Sequence, residues 1–551
     1  MIIRFLKKPK WIDSRVWLDR DPDYDKKKTY YIDSGDYLVR RVISLNGKGA
    51  VPDNIWEQCV NEFKERDKNI SYWYSRRFLT FDKLKIGTNL TLDYYQTKAV
   101  DLMTLLPRAV LNMDMGTGKT ATTIGWWTRY CNKSMLIICP NNVVQEWVDQ
   151  FQDFLGITPK VIRSPEEYER NEDPSQLGTV YVTNYEKFIR HPLDPKKAKY
   201  IQVLVYDEVH TGASLTSKTH KLMYNYSMKA ERVYGLSGTI VGNHFEDILG
   251  IYAVVDPLVY GLDKMSYYRA YSNFILDDYG QPHAYEYPMD KWNRFSTKFH
   301  SISYTIKLTD VIDMPEKREE FIYCKKDPNY KTLVQDYIFT AEGINLETGE
   351  RDMRLFTVDR ALNMTAKLMQ LCSGFIKDVE GNWIRLNTLK RDSLEDWFVR
   401  NYPTIKEKKE KIVIFYQFNL SGNDIEYVMN KQNVIYKRID GSVSEKKKDT
   451  YKKLFKTAEF GDPEGCDVIV INYGTGTAGM NFQRGTIMMY YDQTLEFRKR
   501  EQSSARIYRR GQTHNCLYIN FVAEHSKEVA TYKKLSEIAD FKQFLDTVKT
   551  L

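Results

Sequence analysis

Short apolar runs followed by polar loops recur in the first half of the chain and predict the strands of a buried sheet. The runs lie at 109–111, 135–139, 180–182, 203–206 and 232–236. Nearly continuous apolar strands of this kind are typical of parallel sheets that are covered on both faces. Helix-like segments such as 145–151 separate the runs. This alternation predicts a doubly wound α/β domain, whose ligands bind at the carboxyl ends of the strands.

The same alternation returns in the C-terminal part of the chain. Strand-like runs at 411–417, 438–442 and 467–472 predict a second sheet, whereas helical patterns and charged loops dominate between about 255 and 395. We therefore expect an α/β fold with two doubly wound parallel-sheet lobes, a helical insertion between them and a small N-terminal α+β accessory domain. The expected domains are residues 1–85, 86–255, 256–395 and 396–551.

The first 85 residues are rich in aromatic and charged side chains. Residues 37–43 resemble a strand and residues 54–63 a helix. Basic and aromatic residues interleave at 72–78. This stretch either stacks on nucleic-acid bases or, more simply, forms a strand with one packed face.

A glycine loop with the sequence MGTGKT stands between the run 109–111 and a helix-like segment that begins at Ala121. Glycines let backbone N–H groups turn toward a phosphate, and the following helix adds its positive N-terminal end. The predicted phosphate-binding residues are Met115, Gly116, Thr117, Gly118, Lys119 and Thr120. Lys119 would reach the outer phosphates and the Thr120 hydroxyl would bind magnesium. Met113 replaces the usual first glycine, so a plain glycine turn before an amphipathic helix stays open as an alternative.

Two carboxylates, Asp207 and Glu208, follow the apolar run 203–206 and lead into Val209 and His210. Adjacent carboxylates at a strand end suit two roles, with Asp207 holding magnesium and Glu208 activating the attacking water. Without the glycine loop, such a pair would simply be a turn. Three further residues at a strand end, Ser237, Gly238 and Thr239, together with His210, are candidates for coupling the carboxylates to moving parts.

Two other motifs carry glutamine and arginine. Gln96 lies some twenty residues before the glycine loop, and its amide can both donate to and accept from an adenine edge. Near the C-terminus, Gln502, Arg506 and Arg509 have the spacing of one helix face, which predicts a guanidinium pair for a phosphoryl transition state. A surface ion-pair stripe would show the same spacing.

Composition narrows the class of protein. A chain of 551 residues predicts two or three domains, and its net charge of +8 is only a weak indication of a polyanionic partner. The seven cysteines lack C-x-x-C pairs, which argues against a zinc site and for a reducing compartment. No run approaches the length of a membrane span, so we expect a soluble intracellular protein. The lysine-rich stretches 406–411 and 446–448 are read as solvated faces, although the second could contact phosphate.

Taken together, the motifs between about residues 90 and 540 resemble those of the Swi/Snf-type DNA-dependent ATPases of helicase superfamily 2. On the nucleotide side the matches are Gln96, MGTGKT, the DEVH at 207–210 and the SGT at 237–239, with Cys139-Pro140 and Trp147 between them. In the second half they are Asp440-Gly441-Ser442, the G-x-x-G-x-N from Gly476 to Asn481, and a complete Q-x-x-x-R-x-x-R-x-G-Q from Gln502 to Gln512.

The resemblance implies two RecA-like lobes with ATP between them and DNA across both. It implies that Arg506 and Arg509 are arginine fingers for the γ-phosphate, and it places Gly476 and Gln502 among the nucleotide-binding residues. Four residues fall where family members meet the DNA backbone: Pro140, Thr183, Ser442 and Asn481. The chain departs from the family pattern at Val209, at 472–474 and near 304–307, where paired arginines are missing.

The sequence thus predicts an ATP- and magnesium-dependent motor that translocates on double-stranded DNA and remodels protein–DNA or branched DNA structures. We expect a monomer without membrane contacts, with protein partners bound through the N-terminal domain or the insertion. Since chromatin-type modules are missing, a bacterial, phage or viral cytoplasmic setting is favoured over a nuclear one. Two alternatives stay open: a strand-separating helicase on DNA or RNA, and a nucleotide-gated binding subunit with little turnover.

Overall fold

The computed structural model describes residues 2–5, 19–20, 30–33, 53–76, 79–86, 89–131, 133–163, 178–192, 202–358, 361–475 and 480–547. The chain divides into two compact units, residues 1–311 with 545–551, and residues 312–544. The predicted strand at 37–43 lies outside the described residues. None of the described helices is both long enough and apolar enough to cross a membrane.

The first unit begins with small antiparallel sheets and one long helix. Strands β1 (Ile2–Phe5), β2 (Asp19–Arg20) and β3 (Tyr30–Asp33) form a sheet with β3 in the middle. Helix α1 (Asp53–Arg76) follows, and then the paired strands β4 (Leu84–Ile86) and β5 (Leu90–Leu92).

Helix α1 corrects the sequence interpretation of residues 72–78, because residues 72–76 continue the helix predicted at 54–63. Cys59, Phe63 and Trp73 are buried at helical spacing. Trp73 packs edge-on against Tyr304, with 6.3 Å between ring centroids. Arg66 forms an ion pair with the buried Asp256 at 2.5 Å. These contacts join helix α1 to the rest of the first unit, and the domain boundary at residue 85 stays a prediction.

A seven-stranded sheet with parallel neighbours throughout is the centre of the first unit, as the alternating pattern predicted. Its strands are β6 (Arg108–Met113), β7 (Met135–Cys139), β8 (Lys160–Val161), β9 (Val180–Asn184), β10 (Val203–Asp207), β11 (Arg232–Ser237) and, after the antiparallel hairpin of β12 (Asn273–Leu276) and β13 (Pro282–Glu286), β14 (Ser303–Ile306). The spatial order is β14-β6-β11-β10-β7-β9-β8. Every residue of β6, β7, β9 and β10 is buried, as expected for strands covered on both faces.

Helices separate these strands along the chain. They are α2 (Tyr94–Leu105), α3 (Lys119–Trp126), α4 (Val144–Leu155), α5 (Tyr185–Arg190), α6 (Lys218–Lys229), α7 (Glu246–Val255), α8 (Lys264–Tyr271) and α9 (Met289–Ser301). Helix α7 is buried from Ile248 to its end, and its apolar sequence is that of a helix inside a core rather than on a surface.

The second unit contains the predicted second sheet and a smaller antiparallel one. Its strands are β15 (Lys317–Cys324), β16 (Ile338–Asn345), β17 (Arg351–Thr357), β18 (Phe375–Lys377), β19 (Trp383–Arg385), β20 (Lys411–Tyr416), β21 (Tyr436–Ile439), β22 (Val468–Asn472), β23 (Gly485–Tyr490) and β24 (Cys516–Ala523). The parallel sheet has the order β15-β24-β23-β20-β22-β21, and the antiparallel sheet has the order β17-β16-β19-β18.

The helices of this unit cover both faces of the parallel sheet. They are α10 (Tyr330–Asp336), α11 (Ala361–Cys372), α12 (Leu389–Lys408), α13 (Asn419–Lys431), α14 (Glu445–Thr457), α15 (Phe497–Ser504) and α16 (Lys527–Thr547). Along β20, Ile412 and Ile414 belong to one apolar cluster, whereas Val413 and Phe415 belong to another. The two parallel sheets confirm the fold class of two doubly wound lobes.

Residues 256–395, predicted as a helical insertion, contain strands as well as helices. The charged stretch 342–350, predicted as a loop, runs from the end of β16 into the turn before β17. The Asn345 side chain accepts the Glu347 N–H at 2.9 Å, and Gly349 has a φ of 77°, which fixes this turn. The sequence pattern missed strands β16 and β17 because exposed residues interrupt their apolar positions, including the charged Glu342, Arg351 and Asp352.

Candidate functional site

Three polar loops of the first unit meet at the carboxyl edge of its sheet. They follow β6, β10 and β11, which are parallel neighbours. The glycine loop follows β6, Asp207 and Glu208 stand at the end of β10, and Ser237, Gly238 and Thr239 stand at the end of β11. Because ligands of doubly wound sheets bind at this edge, the fold gathers the predicted nucleotide-side residues where a nucleotide would bind.

The glycine loop turns sharply at its two glycines. Gly116 and Gly118 both have a φ of 83°, a conformation that glycine adopts without steric penalty. Helix α3 begins at Lys119, so its free N–H groups face the loop. The Lys119 ammonium donates to the Met113 carbonyl at 2.9 Å. Thr120 lies partly exposed in the first turn of the helix. This arrangement favours a phosphate-binding loop over a plain turn.

The missing first glycine has a structural explanation. Met113 is the last residue of β6 and is paired with Ile306 of β14. The chain therefore turns only after Asp114, whose carbonyl accepts the Thr117 hydroxyl at 2.7 Å and whose carboxylate accepts the Leu308 N–H at 3.2 Å. The sequence pattern gave no signal for Asp114, although its contacts hold the loop.

Gln96 holds the same loop from helix α2. Its amide nitrogen donates to the Thr117 carbonyl at 3.0 Å, and its amide oxygen accepts the Asp93 N–H at 2.8 Å. Gly118 has a φ of 83°, and a Cβ atom there would lie 2.3 Å from this amide nitrogen, so a larger residue would strain the backbone and displace Gln96. Since both ends of the amide bond to backbone groups, contact of Gln96 with an adenine stays a prediction.

Asp207 is a buried carboxylate with an unfavourable charge environment. Burial, followed by the charge of Glu208, raises the pKa of Asp207 to about 7, while the nearby Lys119 and the hydrogen bond from Trp147 oppose the rise. The Trp147 indole N–H donates to the Asp207 carboxylate at 2.9 Å. Trp147 was noticed only through the family pattern, and its role in fixing Asp207 was not predicted.

Glu208, His210 and Ser237 form a triangle beside the glycine loop. The Glu208 carboxylate lies 3.3 Å from His210 Nδ1 and accepts the Ser237 hydroxyl at 3.3 Å. His210 Nδ1 lies 3.2 Å from Ser237 Oγ. Ser237 Oγ also accepts the Thr239 N–H at 3.1 Å. Glu208 itself has a φ of 54°, which is uncommon for a non-glycine residue and is typical of strained functional positions.

Gly238 brings this triangle to the glycine loop. A Cβ atom at this position would lie 3.1 Å from both the Met113 carbonyl oxygen and the Met115 nitrogen. The segment 237–239 therefore contacts the Glu208 carboxylate on one side and the glycine loop on the other. This geometry is consistent with the predicted coupling role.

Two candidate nucleic-acid contacts of the first unit follow neighbouring strands β7 and β9. Pro140 is half-buried and precedes a short 3-10 turn at Asn141–Val143. Thr183 is buried, and its hydroxyl donates to the Ile162 carbonyl at 3.2 Å. The Thr183 side chain is thus engaged inside the unit, so contact with a backbone phosphate would depend on neighbouring groups.

Ser442 lies at the carboxyl edge of the second sheet, after β21. Its hydroxyl and N–H both donate to Asp440, at 2.6 and 2.9 Å. Arg438 forms an ion pair with Asp440 at 2.9 Å and another with Glu426 at 2.6 Å. This turn is held rigidly, and Ser442 lies at the sheet edge that binds ligands in such folds.

Asn481 lies at the opposite edge of the same sheet. It precedes β23, and its side-chain oxygen accepts the Gln483 N–H at 3.1 Å, so it forms part of the turn into that strand. The structure therefore does not bring Asn481 together with Ser442. Gly476 lies outside the described residues, and its predicted role in nucleotide binding stays a prediction.

The structure corrects the helix predicted through Gln502, Arg506 and Arg509. Helix α15 ends at Ser504, so Gln502 is helical and the two arginines lie in the turns that follow. The Arg506 N–H bonds to Ser503 O, three residues back, and its guanidinium donates to the Met480 carbonyl at 2.9 Å. The helix therefore does not continue through Arg506, because Arg506 instead contacts the segment before β23. Arg506 is buried and Arg509 is partly exposed.

Comparison with known protein families agrees with these motifs. The profile described as SNF2-related domain matches residues 95–374, which is more than half of the chain. The chain belongs to the SNF2-related family. A second profile, described as Helicase conserved C-terminal domain, matches residues 390–511. This SNF2-related protein therefore carries the two domains of a helicase-like ATPase.

Curated relatives are distant and longer. The chain is 23% identical to the DNA repair and recombination protein RAD54B of Mus musculus, over 74% of this chain and 50% of that protein. It is 22% identical to the chromatin structure-remodeling complex subunit snf21 of Schizosaccharomyces pombe, over 91% of this chain and 43% of that protein. The chain thus spans half or less of the length of these relatives. They give no support to the expected bacterial, phage or viral setting.

A solved structure is also similar. It is described as the Sulfolobus solfataricus SWI2/SNF2 ATPase core in complex with dsDNA, and it matches with 20% identity and a TM-score of 0.36. The match covers 84% of this chain and 95% of that one.

Proposed function

We propose that this SNF2-related protein hydrolyses ATP when stimulated by double-stranded DNA and uses the energy to translocate along the duplex, remodelling protein–DNA or branched DNA structures. The observation that carries the proposal is the meeting of the glycine loop, the Asp207–Glu208 pair and the 237–239 segment at one sheet edge. Family membership supports ATP as the substrate. The names of the relatives, which include DNA repair and chromatin remodelling, support DNA as the track.

The residues of the first unit fit a nucleotide with a divalent cation. Asp207 supplies a buried carboxylate and Thr120 a hydroxyl, and such oxygen ligands are the kind that magnesium takes. Burial raises the pKa of Asp207 to about 7, so a cation beside it would favour the charged carboxylate. Bound magnesium would neutralise charge on the phosphates. Met115, Gly116, Thr117 and Gly118 would surround the phosphates with backbone N–H groups, and Lys119 would reach the outer ones.

Glu208 is the proposed base for the attacking water. Its carboxylate already accepts the Ser237 hydroxyl and lies beside His210, so both neighbours orient it. When ATP is hydrolysed, the water oxygen forms a bond to the γ-phosphorus while its proton passes to Glu208. The bond between that phosphorus and the oxygen bridging the β- and γ-phosphates breaks, so ADP and phosphate are released. The protonation of Glu208 is then transmitted to the glycine loop through His210, Ser237, Gly238 and Thr239. Arg506 and Arg509, with Gly476 and Gln502, are proposed on family resemblance to serve the same nucleotide.

Contacts with DNA are proposed for Pro140, Thr183 and Ser442, all at carboxyl edges of their sheets. Asn481, at the amino edge of the second sheet, is the fourth proposed contact. Such contacts with phosphates position a motor without reading sequence. We also propose domain boundaries at residues 85, 255 and 395. The protein is proposed to be a monomer and to bind protein partners through its N-terminal region or the insertion.

One structural feature, the exposed tip of hairpin β12–β13, would suit the alternative function of a strand-separating helicase. Hairpin β12–β13 presents Tyr279 at its tip, 89% exposed, in the manner of a wedge that parts strands. However, residues 273–286 contain Asp277, Asp278 and Glu286 and no lysine or arginine. Phosphates would be repelled by this hairpin, so the charge distribution favours translocation without strand separation.

The decisive experiment measures ATP hydrolysis by the purified chain with linear duplex, single-stranded DNA, forked DNA and RNA at equal nucleotide concentration. We expect duplex to stimulate hydrolysis most. Stimulation mainly by single strands or RNA would favour the helicase rival. Equal, very low rates with every nucleic acid would favour the nucleotide-gated binding subunit.

A further inference from the structure

A basic cleft of about 600 Å³ lies on the second unit, at the amino edge of its parallel sheet. Its lining comes from segments that precede β20, β23 and β24, together with the end of helix α14. The residues that matter most are Lys408, Lys409, Lys456, Arg484 and His514, and Asn481 lies among them. We call this surface the amino-edge cleft.

The amino-edge cleft carries excess positive charge. Among the described residues, no carboxylate lies within ion-pair distance of Lys408, Lys409 or Lys456. Arg484 donates only to backbone, to the carbonyls of Lys456 and Ala458 at 3.3 Å each. Glu410 is the one carboxylate in the lining. Four cations around one carboxylate form a site that attracts anions.

Lysines at helix C-termini have an ordinary explanation, because they interact favourably with the helix dipole. Lys408 lies in the last turn of α12 and Lys456 in the last turn of α14. The end of α14 is already served by other cations, however. The buried Lys411 donates to the carbonyls of Phe455 and Ala458 at 3.0 and 2.8 Å. The exposed Lys456 is therefore not needed to satisfy those carbonyls.

Lys409 gives a second, independent reason to look for function. It stands just after α12 with a φ of 55°, in the left-handed region where glycine or asparagine is preferred. A lysine at such a position costs stability relative to glycine. A side chain kept there against backbone preference suggests that its charge is used.

The cleft is well separated from the carboxyl edge of the same sheet. Strand β20 has six residues, Lys411–Tyr416, and so spans about 20 Å between the two edges. Lys408 and Lys409 precede this strand, whereas Ser442 lies at the far edge. A nucleic-acid backbone that contacts Ser442 would therefore not fill the amino-edge cleft with the same phosphates.

We propose that the amino-edge cleft binds the phosphate backbone of a second nucleic-acid segment, such as another arm of a branched DNA. This inference rests on the proposed function and extends it to the structure of the substrate. Lysines supply mobile charges to phosphate oxygens, while Arg484 and the amides of Asn481 and Gln483 supply hydrogen-bond donors. An acidic peptide is disfavoured because Phe455, the one large apolar residue in the lining, is buried and so cannot anchor a partner's side chain.

The test compares two triple variants of the full chain. The cleft variant is Lys408→Gln, Lys409→Gln and Lys456→Gln. The control is Lys325→Gln, Lys331→Gln and Lys533→Gln, which removes the same charge from exposed lysines elsewhere in the second unit. Binding of a three-way DNA junction and of a linear duplex of equal length is measured across a range of salt concentrations, together with duplex-stimulated ATP hydrolysis and melting temperature.

We expect the cleft variant to bind the junction about tenfold more weakly at 0.1 M salt and to lose about 3 units of the salt slope, since each phosphate contact contributes about 0.9. Affinity for linear duplex, and the hydrolysis it stimulates, should stay within about twofold of the unmodified chain. Equal losses with junction and duplex, or the same losses in the control, would overturn the proposal. So would unchanged junction binding, or displacement of the junction by poly-glutamate at equal charge.

A single substitution distinguishes loss of charge from loss of stability. Lys409→Gly removes the charge and relieves the left-handed φ, so melting temperature should rise while junction affinity falls. A fall in both would instead identify Lys409 as structural. The proposed function is tested separately, because the unmodified chain could bind junctions at this cleft and yet show no stimulation by duplex, a result that would refute the translocase alone.

Discussion

At the scale of single residues, the first unit is organised around charges that are costly to bury. Asp207 is enclosed among apolar strands, next to the like charge of Glu208. Burying such a pair is unfavourable unless a cation or a hydrogen bond compensates. The compensation comes from the charge of Lys119, the hydrogen bond from Trp147 and the proposed magnesium. The same environment separates the roles of the two carboxylates. Asp207 is fixed by Trp147, whereas Glu208 accepts the hydroxyl of Ser237.

The first residue-scale prediction concerns Glu208. Glu208→Gln should keep ATP binding and reduce turnover by about a hundredfold or more, because an amide cannot take the proton of the attacking water. Nucleotide affinity and the steady-state rate are measured on the same preparation. Glu146→Gln is the matched control, since Glu146 raises the pKa of Asp207 only through its charge and is exposed. Near-normal turnover in Glu208→Gln would show that another group activates the water.

The second residue-scale prediction separates the two arginines. Arg509→Ala should leave melting temperature and nucleotide affinity nearly unchanged and cut the catalytic rate by about 10³-fold or more, as loss of an arginine finger does. Arg510→Ala, at the exposed neighbouring position, is the control and should retain activity. Arg506→Ala should lower both stability and rate, because Arg506 is buried and donates to Met480. A large stability loss with a normal rate in Arg509→Ala would support the ion-pair alternative.

At the scale of elements, helix α1 is an integral part of the first unit. Its buried face contacts elements that are distant in sequence: Arg66 pairs with Asp256, and Arg76 pairs with Asp101 at 3.0 Å. The Tyr74 hydroxyl donates to the Thr297 carbonyl at 3.0 Å. A helix attached by an apolar seam, ion pairs and a hydrogen bond cannot be removed without exposing the surface that it covers.

The element-scale prediction uses this seam. Trp73→Ala should destabilise the protein by about 3–5 kcal/mol, the usual cost of truncating a fully buried tryptophan. Tyr72→Ala is the neighbouring control, since Tyr72 is 48% exposed, and it should cost less than about 1 kcal/mol. Chemical denaturation of both variants gives the comparison. A chain that begins at residue 86 and still folds with normal stability would show instead that α1 is a separable appendage.

The sequence predicted best those elements whose pattern is local and continuous. Strands β7 and β10 are apolar at nearly every position because helices cover both faces, so their runs stand out. The missed strands include the two edge strands β14 and β15. Strand β15 begins with four exposed, charged residues, and β14 places Thr305 against Asn112 through a 3.2 Å side-chain hydrogen bond. At an edge, tertiary pairing rather than apolar periodicity decides the conformation.

The same limit applies to the candidate site. The glycine loop and the Asp207–Glu208 pair could be located because each follows an apolar run directly. The turn that holds Arg506 could not be located, because the helical spacing of Gln502, Arg506 and Arg509 predicts a helix that continues through it. Its course is fixed by distant partners, including the Gln512 amide, which donates to the carbonyls of Gln483 and Gly485 at 2.9 and 3.2 Å. Contacts between residues so far apart in the sequence produce no hydrophobic periodicity, so the sequence pattern cannot predict them.

At the scale of the whole molecule, the charge distribution bears on the proposed translocation along duplex DNA. The net charge of +8 is modest, and the hairpin that could act as a wedge is acidic. If the proposed translocase contacts phosphates and its exposed hairpin repels them, we expect it to move along the duplex without separating the strands. Binding should tolerate any sequence and weaken steeply with salt, because phosphate contacts carry no sequence information.

The whole-molecule prediction follows from this and uses two gel assays under the same ATP and salt conditions. One substrate is a duplex with a triplex-forming third strand, and the other is an ordinary forked duplex. We expect displacement of the third strand and no release of the annealed strand, since translocation along a duplex removes whatever lies in the groove. Glu208→Gln, which we expect to bind ATP without turnover, is the control for passive displacement. Efficient unwinding of the fork without triplex displacement would replace the translocase with the helicase, and Tyr279→Ala would then be expected to abolish the unwinding.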